Sequence, residues 1–239
     1  MHKHPKNIFF CFVFILISLS SSAQKTKPIN LQNYDREKLH FGFSLGVNKA
    51  YLVLYPADDV TKPDSILGVE AIPDWGFNLG IISDLRLHDY ATLRFLPALA
   101  FQDRTIEYRI DSSAVPGINP YIVKKKVEST LLDFPLNLKI RSERLNNISA
   151  YLLAGGKFSI DLASQAKTKN PDIVKLNGND WNFEAGFGLD FYLEYFKLST
   201  EIKFCAGFKD RLVHENTAWS APINKVLTKT WLFSLNFEG

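Results

Sequence analysis

The chain has 239 residues, 46% of them hydrophobic and 13% aromatic, with 13 Gly, 11 Pro and a single Met, a composition that excludes a disordered or low-complexity chain. Charged residues make up 22% and mean hydropathy is −0.07, and no stretch supplies the ~20 apolar residues of a membrane-spanning helix. The formal net charge of +3 includes Lys3 and Lys6 of a leader, so the remainder is near neutral and gives no case for nucleic-acid binding.

Residues 1–23 read as an export signal peptide. A basic start from Met1 to Lys6 precedes an apolar run from Ile8 to Leu19, and Ser21 and Ala23 occupy the small-residue positions before Gln24. An apolar run of about 12 residues is too short to be a retained span. Cys11 lies inside that run, not at its end, so cleavage leaves Cys205 as the only cysteine and no intrachain disulfide. Residues 24–38 follow as a periplasmic N-terminal segment, and residues 39–239 as one domain.

From Leu39 onward the dominant period is two. Leu39, Phe41, Phe43, Leu45 and Val47 alternate with His40, Gly42, Ser44, Gly46 and Asn48, which predicts a strand with one greasy face over 39–50. Further strands are predicted at 74–85, 90–108, 121–140 and 147–163. The clearest alternation runs from Trp181 to Leu193, where every odd position is apolar, giving a strand over 180–193. Strands over 196–209 and 226–237 complete a set of eight. The last carries Trp231, Phe233, Leu235 and Phe237 on one face and ends close to the C-terminus, as barrel precursors commonly do, although Glu238 and Gly239 follow the final aromatic.

Long connections near 51–73, 109–120, 164–179 and 210–225 alternate with short ones near 86–89, 141–146 and 194–195. Transmembrane barrels show this pattern, with long external loops and short periplasmic turns, and each strand reaches the ~9–11 residues that a tilted crossing needs. Alternation alone does not tell a soluble sandwich from a membrane barrel, since the two differ only in which face is inside. Three features favour the membrane: small residues on the polar faces (Gly42, Gly46, Gly155, Gly186, Gly188), aromatics near strand ends (Trp75, Trp181, Trp231, Phe196, Phe237) and the export signal. The expected fold is all-β, an eight-stranded antiparallel transmembrane β-barrel.

On that parity Arg94, Arg104, Lys139, Lys157, Lys197, Lys203 and Lys209 face the lumen together with Asp133, Asp161, Glu184, Asp190 and Glu201. An eight-strand bore has room for little besides side chains, so these residues predict an ion-paired plug, with a proton or ion path as the alternative. Two prolines break the strand rules. Pro97 and Pro135 fall within apolar stretches, and a hairpin turning near 115–116 places Pro97 opposite residue 134 or 135. The pair predicts a bulge and an interrupted ladder between those two strands at mid-membrane. Lys124, Lys125 and Lys126 read as a solvated face, with an anion or lipopolysaccharide contact as the alternative.

Catalytic chemistry has little support. His40, His88 and His214 sit on separate elements, no Gly-x-Ser-x-Gly elbow occurs, and His214 with Glu215 and Ser220 is a poor triad. No catalytic, cofactor-binding or metal-binding residue is expected, no cofactor, and the protein is expected not to be an enzyme.

The segments LHFGFSLGVN (Leu39 to Asn48), GFNLGIISDLRLHDYATLRFLPALAF (Gly76 to Phe101), ESTLLDFPL (Glu128 to Leu136) and GFGLDFYLEYFKLSTEIKFCAGF (Gly186 to Phe208) together resemble the PorT family of Bacteroidetes outer-membrane β-barrel proteins. The likeness runs through most of the mature chain and is least in the loops at 51–73 and 210–225. It implies a component of the type IX secretion system, which exports proteins with a C-terminal sorting domain and, in gliding species, surface adhesins. It implies outer-membrane lipid and other type IX secretion components as partners, with no nucleic acid, no small-molecule substrate and no catalytic residues. The alternatives are an autonomous outer-membrane barrel for adhesion or envelope integrity, and a lipid-modifying outer-membrane enzyme.

Overall fold

The computed structural model describes residues 28–57, 66–111, 121–164, 174–215, 217 and 219–239. The expected leader and the middles of three expected long loops lie outside the described residues. The strands are β1 (Leu39–Pro56), β2 (Ile66–Arg86), β3 (Ala91–Phe95), β4 (Ala98–Ile110), β5 (Tyr121–Arg141), β6 (Ile148–Asp161), β7 (Asn179–Tyr192), β8 (Lys197–Gly207) and β9 (Ile223–Glu238). Each pairs antiparallel with its neighbours, β3 and β4 lie end to end between β2 and β5, and β9 pairs back onto β1 from Gly42↔Glu238 to Pro56↔Ile223. The result is a closed ring of eight staves.

Over the inner part of the ring the greasy face points out. Phe41, Phe43, Leu45, Phe77, Ile81, Leu136, Ile140, Leu152, Phe187 and Phe233 are exposed, whereas Asn48, Arg94, Asn137, Glu184, Ser199 and Asn236 are buried. A water-soluble sheet protein buries the former set and exposes the latter; the reverse arrangement is stable only where lipid surrounds the ring. Aromatics mark the edges of this band. Lys49 opposes both Trp231 and Trp75 and lies 5.3 Å from the Trp75 ring centroid, while Phe158 and Phe204 pack on Trp181 and Trp231 at 4.8 and 4.9 Å. At the short-turn rim Phe237 packs between Phe43 and Phe196.

Towards the long-loop rim the chemistry of the two faces inverts while the strands continue. β1, β2 and β9 run beyond their predicted limits, and their inner residues Leu52, Ile66, Ile223 and Val226 join Ile106 and Tyr108 of β4 and Val174, Leu176 and Leu212 of the connections in one buried cluster. The outer face carries Asp103, Glu107, Lys124, Lys126 and Glu128, bridged by ion pairs. Here the ring opens into two facing sheets. One is the upper part of β2, β4 and β5. The other is the upper part of β1 and β9, extended by Arg211 N–H donating to Val226 O at 2.9 Å and Val213 N–H to Lys175 O at 3.0 Å. Water outside and apolar side chains inside make this a sandwich standing on the barrel.

The prolines behave differently from the sequence expectation. Pro97 does lie opposite Phe134, but Phe95 opposes Leu136 and Ala98 opposes Asp133, so the register is unchanged across them and no bulge forms there. Leu96 N–H still donates to Pro135 O at 3.3 Å and Ile81 N–H to Pro97 O at 3.0 Å; each proline removes only the reciprocal donor, on a different ladder. The irregularity sits on β2, where the register shifts between Pro73 and Phe77 against β4. Asp74, Trp75 and Gly76 span two residues of β4. Gly76 is required at this bulge, because a Cβ would overlap the carbonyl oxygen of Phe101.

The short turns at 87–90, 142–147 and 193–196 share one rim with the segment ahead of β1 and the C-terminal residue, and the longer connections share the other. In a Cys205→Ser background, a cysteine at His214 should react with an impermeant maleimide on intact cells and one at Tyr195, 81% exposed, should not. Asn146 is a poorer probe because its φ is +60°. Labelling at Tyr195 but not at His214 would reverse the orientation. Phe187→Arg places a cation on the lipid face at a cost of ~2–4 kcal/mol at mid-bilayer. It should fail to give the heat-modifiable folded band in vesicles, while His214→Arg should fold as the parent does.

Candidate functional site

The bore is the part of the molecule where chemistry is concentrated. Among the described residues eight cationic side chains and eight carboxylates are buried, so the interior is formally neutral. Eight of them form a continuous chain of alternating sign across the lumen. Lys197 meets Glu238 at 2.7 Å, Glu238 meets Arg94 at 2.6 Å, and Arg94 meets Glu201 at 3.2 Å. Glu201 meets Lys203 at 3.3 Å, which lies 3.8 Å from Glu184; Lys157 joins Glu184 at 3.7 Å to Asp133 at 3.2 Å. These groups come from β3, β5, β6, β7, β8 and β9, so the chain ties the wall to itself through its centre.

Arg94 is the hub. Its Nε and Nη2 donate to the two oxygens of Asp84 at 2.8 and 2.7 Å, and its remaining donors reach Glu238 and Glu201, a fork that only a planar guanidinium supplies. Tyr151 lies beside the hub, its hydroxyl donating to Glu201 at 2.8 Å and its ring 3.8 Å from Lys139 Nζ. Lys139 in turn pairs with Asp190 at 2.9 Å. The Tyr151 ring occupies the space over Gly188 on the neighbouring strand, where a Cβ would strike it. The small residues of the polar faces thus make room for the network.

The expected lumen set is buried here with one exception. Lys209 lies beyond the end of β8 at Gly207 and is exposed, because the strand stops two residues short of the predicted limit. Sequence reasoning missed Asp84 and Glu238, although alternation carried on from Leu85 and Phe237 points both inward. It also missed Asp180, which shares the inward parity of Asn182 and Glu184 on β7, and Lys175 and Arg211, whose burial depends on the upper sandwich. Arg104 is buried without a carboxylate partner within salt-bridge distance among the described residues, hydrogen-bonding Gln102 and Ser129.

Both mouths are closed. At the short-turn rim Tyr34 stacks on His40 at 3.8 Å, donates to Glu238 at 3.0 Å and lies 4.6 Å from Lys197 Nζ. Asp35 pairs with Arg141 and Arg144, and Asn30 is held by Asn147 and Tyr192. At the other rim the apolar cluster and Trp219, whose carbonyl accepts from Tyr108 at 2.7 Å, cover the bore. Below it Asp210 accepts from Leu212 and Val226 N–H at 3.0 Å each; burial alone would raise its carboxyl pKa, but these donors hold it below the usual value.

The residues considered for catalysis are apart. His214 contacts Asp210 at 3.3 Å, while Ser220 is buried and bonds Thr217 and the Glu215 carbonyl. His40 lies under Tyr34 and His88 in an exposed turn. Among the described residues no group of three or more metal-ligating side chains occurs. The three lysines diverge: Lys124 and Lys126 point outward into ion pairs with Glu107, Asp103 and Glu128, whereas Lys125 points inward, 4.2 Å from the Trp219 ring centroid. Cys205 is free and buried, its thiol donating to Glu184 at 3.1 Å.

An exported ring of eight staves with lipid-facing aromatics and a charged, filled bore is an outer-membrane β-barrel. The chain belongs to the outer membrane protein beta-barrel domain family, which it matches over residues 22–212. It is similar to solved outer-membrane proteins: OprG of Pseudomonas aeruginosa, at 14% identity over 84% of this chain and 92% of that one, TM-score 0.46; Neisserial surface protein A, at 12% over 84% and 98%, TM-score 0.42; and Ail, the attachment invasion locus protein of Yersinia pestis, in complex with the heparin analogue sucrose octasulfate, at 12% over 85% and 100%, TM-score 0.38. No curated protein matches the chain.

The filled bore has a measurable consequence. Refolded into a planar bilayer, the protein should show no resolved single-channel conductance. Arg94→Ala leaves Asp84, Glu201 and Glu238 without their common cation, which should lower stability by ~3–5 kcal/mol in urea titration and admit water and ions. Steady channels from the parent protein would contradict the plug.

Proposed function

We propose that this barrel is a non-enzymatic outer-membrane component of a type IX secretion apparatus, supporting export of proteins with C-terminal sorting domains as a scaffold and not as the conduit. The observation that carries the scaffold part is the bore: it is crossed by buried ion pairs and covered at both rims, and an eight-stave ring has no width for a polypeptide. The apparatus part rests on the likeness of LHFGFSLGVN and the three longer segments to the PorT family. On this reading the short-turn rim and residues 24–38 are periplasmic, and the partners are outer-membrane lipid and other secretion components.

A second reading is an autonomous barrel for adhesion or envelope integrity, favoured by the sandwich that stands beyond the lipid band. A lipid-modifying enzyme has less support, since Ser220 and His214 are not in contact. Deleting the gene separates the three. Loss of sorting-domain proteins from the cell surface, restored by the parent gene, is the expected result. Intact secretion with altered adhesion or detergent sensitivity would favour the autonomous barrel, and altered lipid A masses the enzyme.

A further inference from the structure

Above the lipid band, and among the described residues, β5 has a partner strand on one side only. It pairs with β4 from Ala98↔Asp133 to Ile110↔Tyr121 without a register shift, whereas its pairing with β6 ends at Leu131↔Asp161 and its last bond on that side is Leu162 N–H to Thr130 O at 2.8 Å. Thr130 faces β6 and Pro135 accepts from Leu96, so even-numbered residues of β5 direct their backbone groups away from β4. Ile122, Lys124, Lys126 and Glu128 therefore present a row of N–H and C=O groups to an edge that pairs with no described residue. Beside this edge lies a slot lined by Val127, Ser129, Asp161, Ser164, Val174 and Leu176, the open seam between the two sheets of the sandwich.

Proteins commonly guard such an edge with lysine. Here Lys124 is drawn to Glu107 and Lys126 to Asp103, both on β4, and Lys126 also to Glu128. These ion pairs draw the side chains over the sheet face towards β4 and away from the edge they would otherwise guard. We propose that the Ile122–Glu128 edge is a docking site to which an extended segment of another protein adds as an antiparallel strand. Backbone bonds supply the attachment, and the side chains set the pattern. Small apolar residues of the incoming strand face the slot beside Val127. On the outer face, read from its N-terminus, the strand carries a basic residue opposite Glu128 and acidic residues opposite Lys126 and Lys124. The proposal stands apart from the export role and can fail independently of it.

The test uses the mature protein refolded in detergent and a fluorescein-labelled probe, Val-Lys-Val-Glu-Val-Glu-Val-Thr-Val, against the charge-exchanged Val-Glu-Val-Lys-Val-Lys-Val-Thr-Val. Anisotropy should report saturable micromolar binding of the first and at least tenfold weaker binding of the second. Lys124→Pro and Lys126→Pro each delete an edge N–H that makes no bond to β4, and should weaken binding tenfold or more while the heat-modifiable folded band is retained. Lys126→Thr keeps the N–H and should bind more tightly than Lys126→Pro. Absence of binding, equal binding of both probes, or equal binding by the proline variants would overturn the proposal. So would a peptide-independent dimer abolished by Lys124→Pro, which would assign the edge to a second copy of this chain.

Discussion

The lower ring depends on a constraint inside it: within the bore, buried charge is set against opposite charge, directly for every described buried ion but Arg104 and Asp180, which bond neutral groups. Lipid outside forces the polar face of each strand inward, and eight staves enclose too little space for bulk water. A buried ion without a partner carries a penalty of several kcal/mol. The solution is the alternating sequence Lys197, Glu238, Arg94, Glu201, Lys203, Glu184, Lys157 and Asp133, in which each interior ion but the two ends lies between two of opposite sign. The glycines, the place of Tyr151 over Gly188 and the fork of Arg94 all serve to bring those groups together.

The same strands obey a second solvent a few residues further on. Where lipid gives way to water, the outward positions become Asp103, Glu107, Lys124 and Lys126, and the inward ones Leu52, Ile106, Tyr108 and Val226. β4 and β5 stay paired across this boundary without a register shift, while β2 bulges at residues 74–76 and parts from β1 beyond Ala50. What inverts the two faces is the cost of exposing each side chain, and the aromatic belt of Trp75, Trp181 and Trp231 sits at the crossover.

That boundary also explains what could be read in the sequence. Alternation over 180–193 and 39–50 is strong because one face meets lipid and the other a charged lumen, so the strands and most lumen residues, from Arg94 to Glu201, were legible. The upper halves of β1 and β2 were not. Tyr51 to Tyr55 is apolar throughout, and Gly68 to Pro73 contains the residues that ordinarily mark a loop, so both were assigned to a connection. The bulge was misplaced for a related reason: Pro97 and Pro135 announce missing donors, but a ladder can lose a donor without slipping. The extra residue at Trp75 and Gly76 comes just after Pro73, but that proline falls in the segment assigned to a connection and so was not weighed as part of a strand. Burial of Lys175 and Arg211 required a sandwich that no local pattern encodes.

The segment ahead of β1 has a consequence for the order of assembly. Asn30, Tyr34 and Asp35 are held by Asn147, Tyr192, Arg141, Arg144 and Glu238, residues contributed by the far wall and by the final strand. The segment can reach Glu238 on one side and the β5–β7 turns on the other only once the ring has joined end to end. Asn30 to Asp35, synthesised before any strand, are therefore among the last to find their seat, and their docking acts as a latch that only a completed circumference can engage.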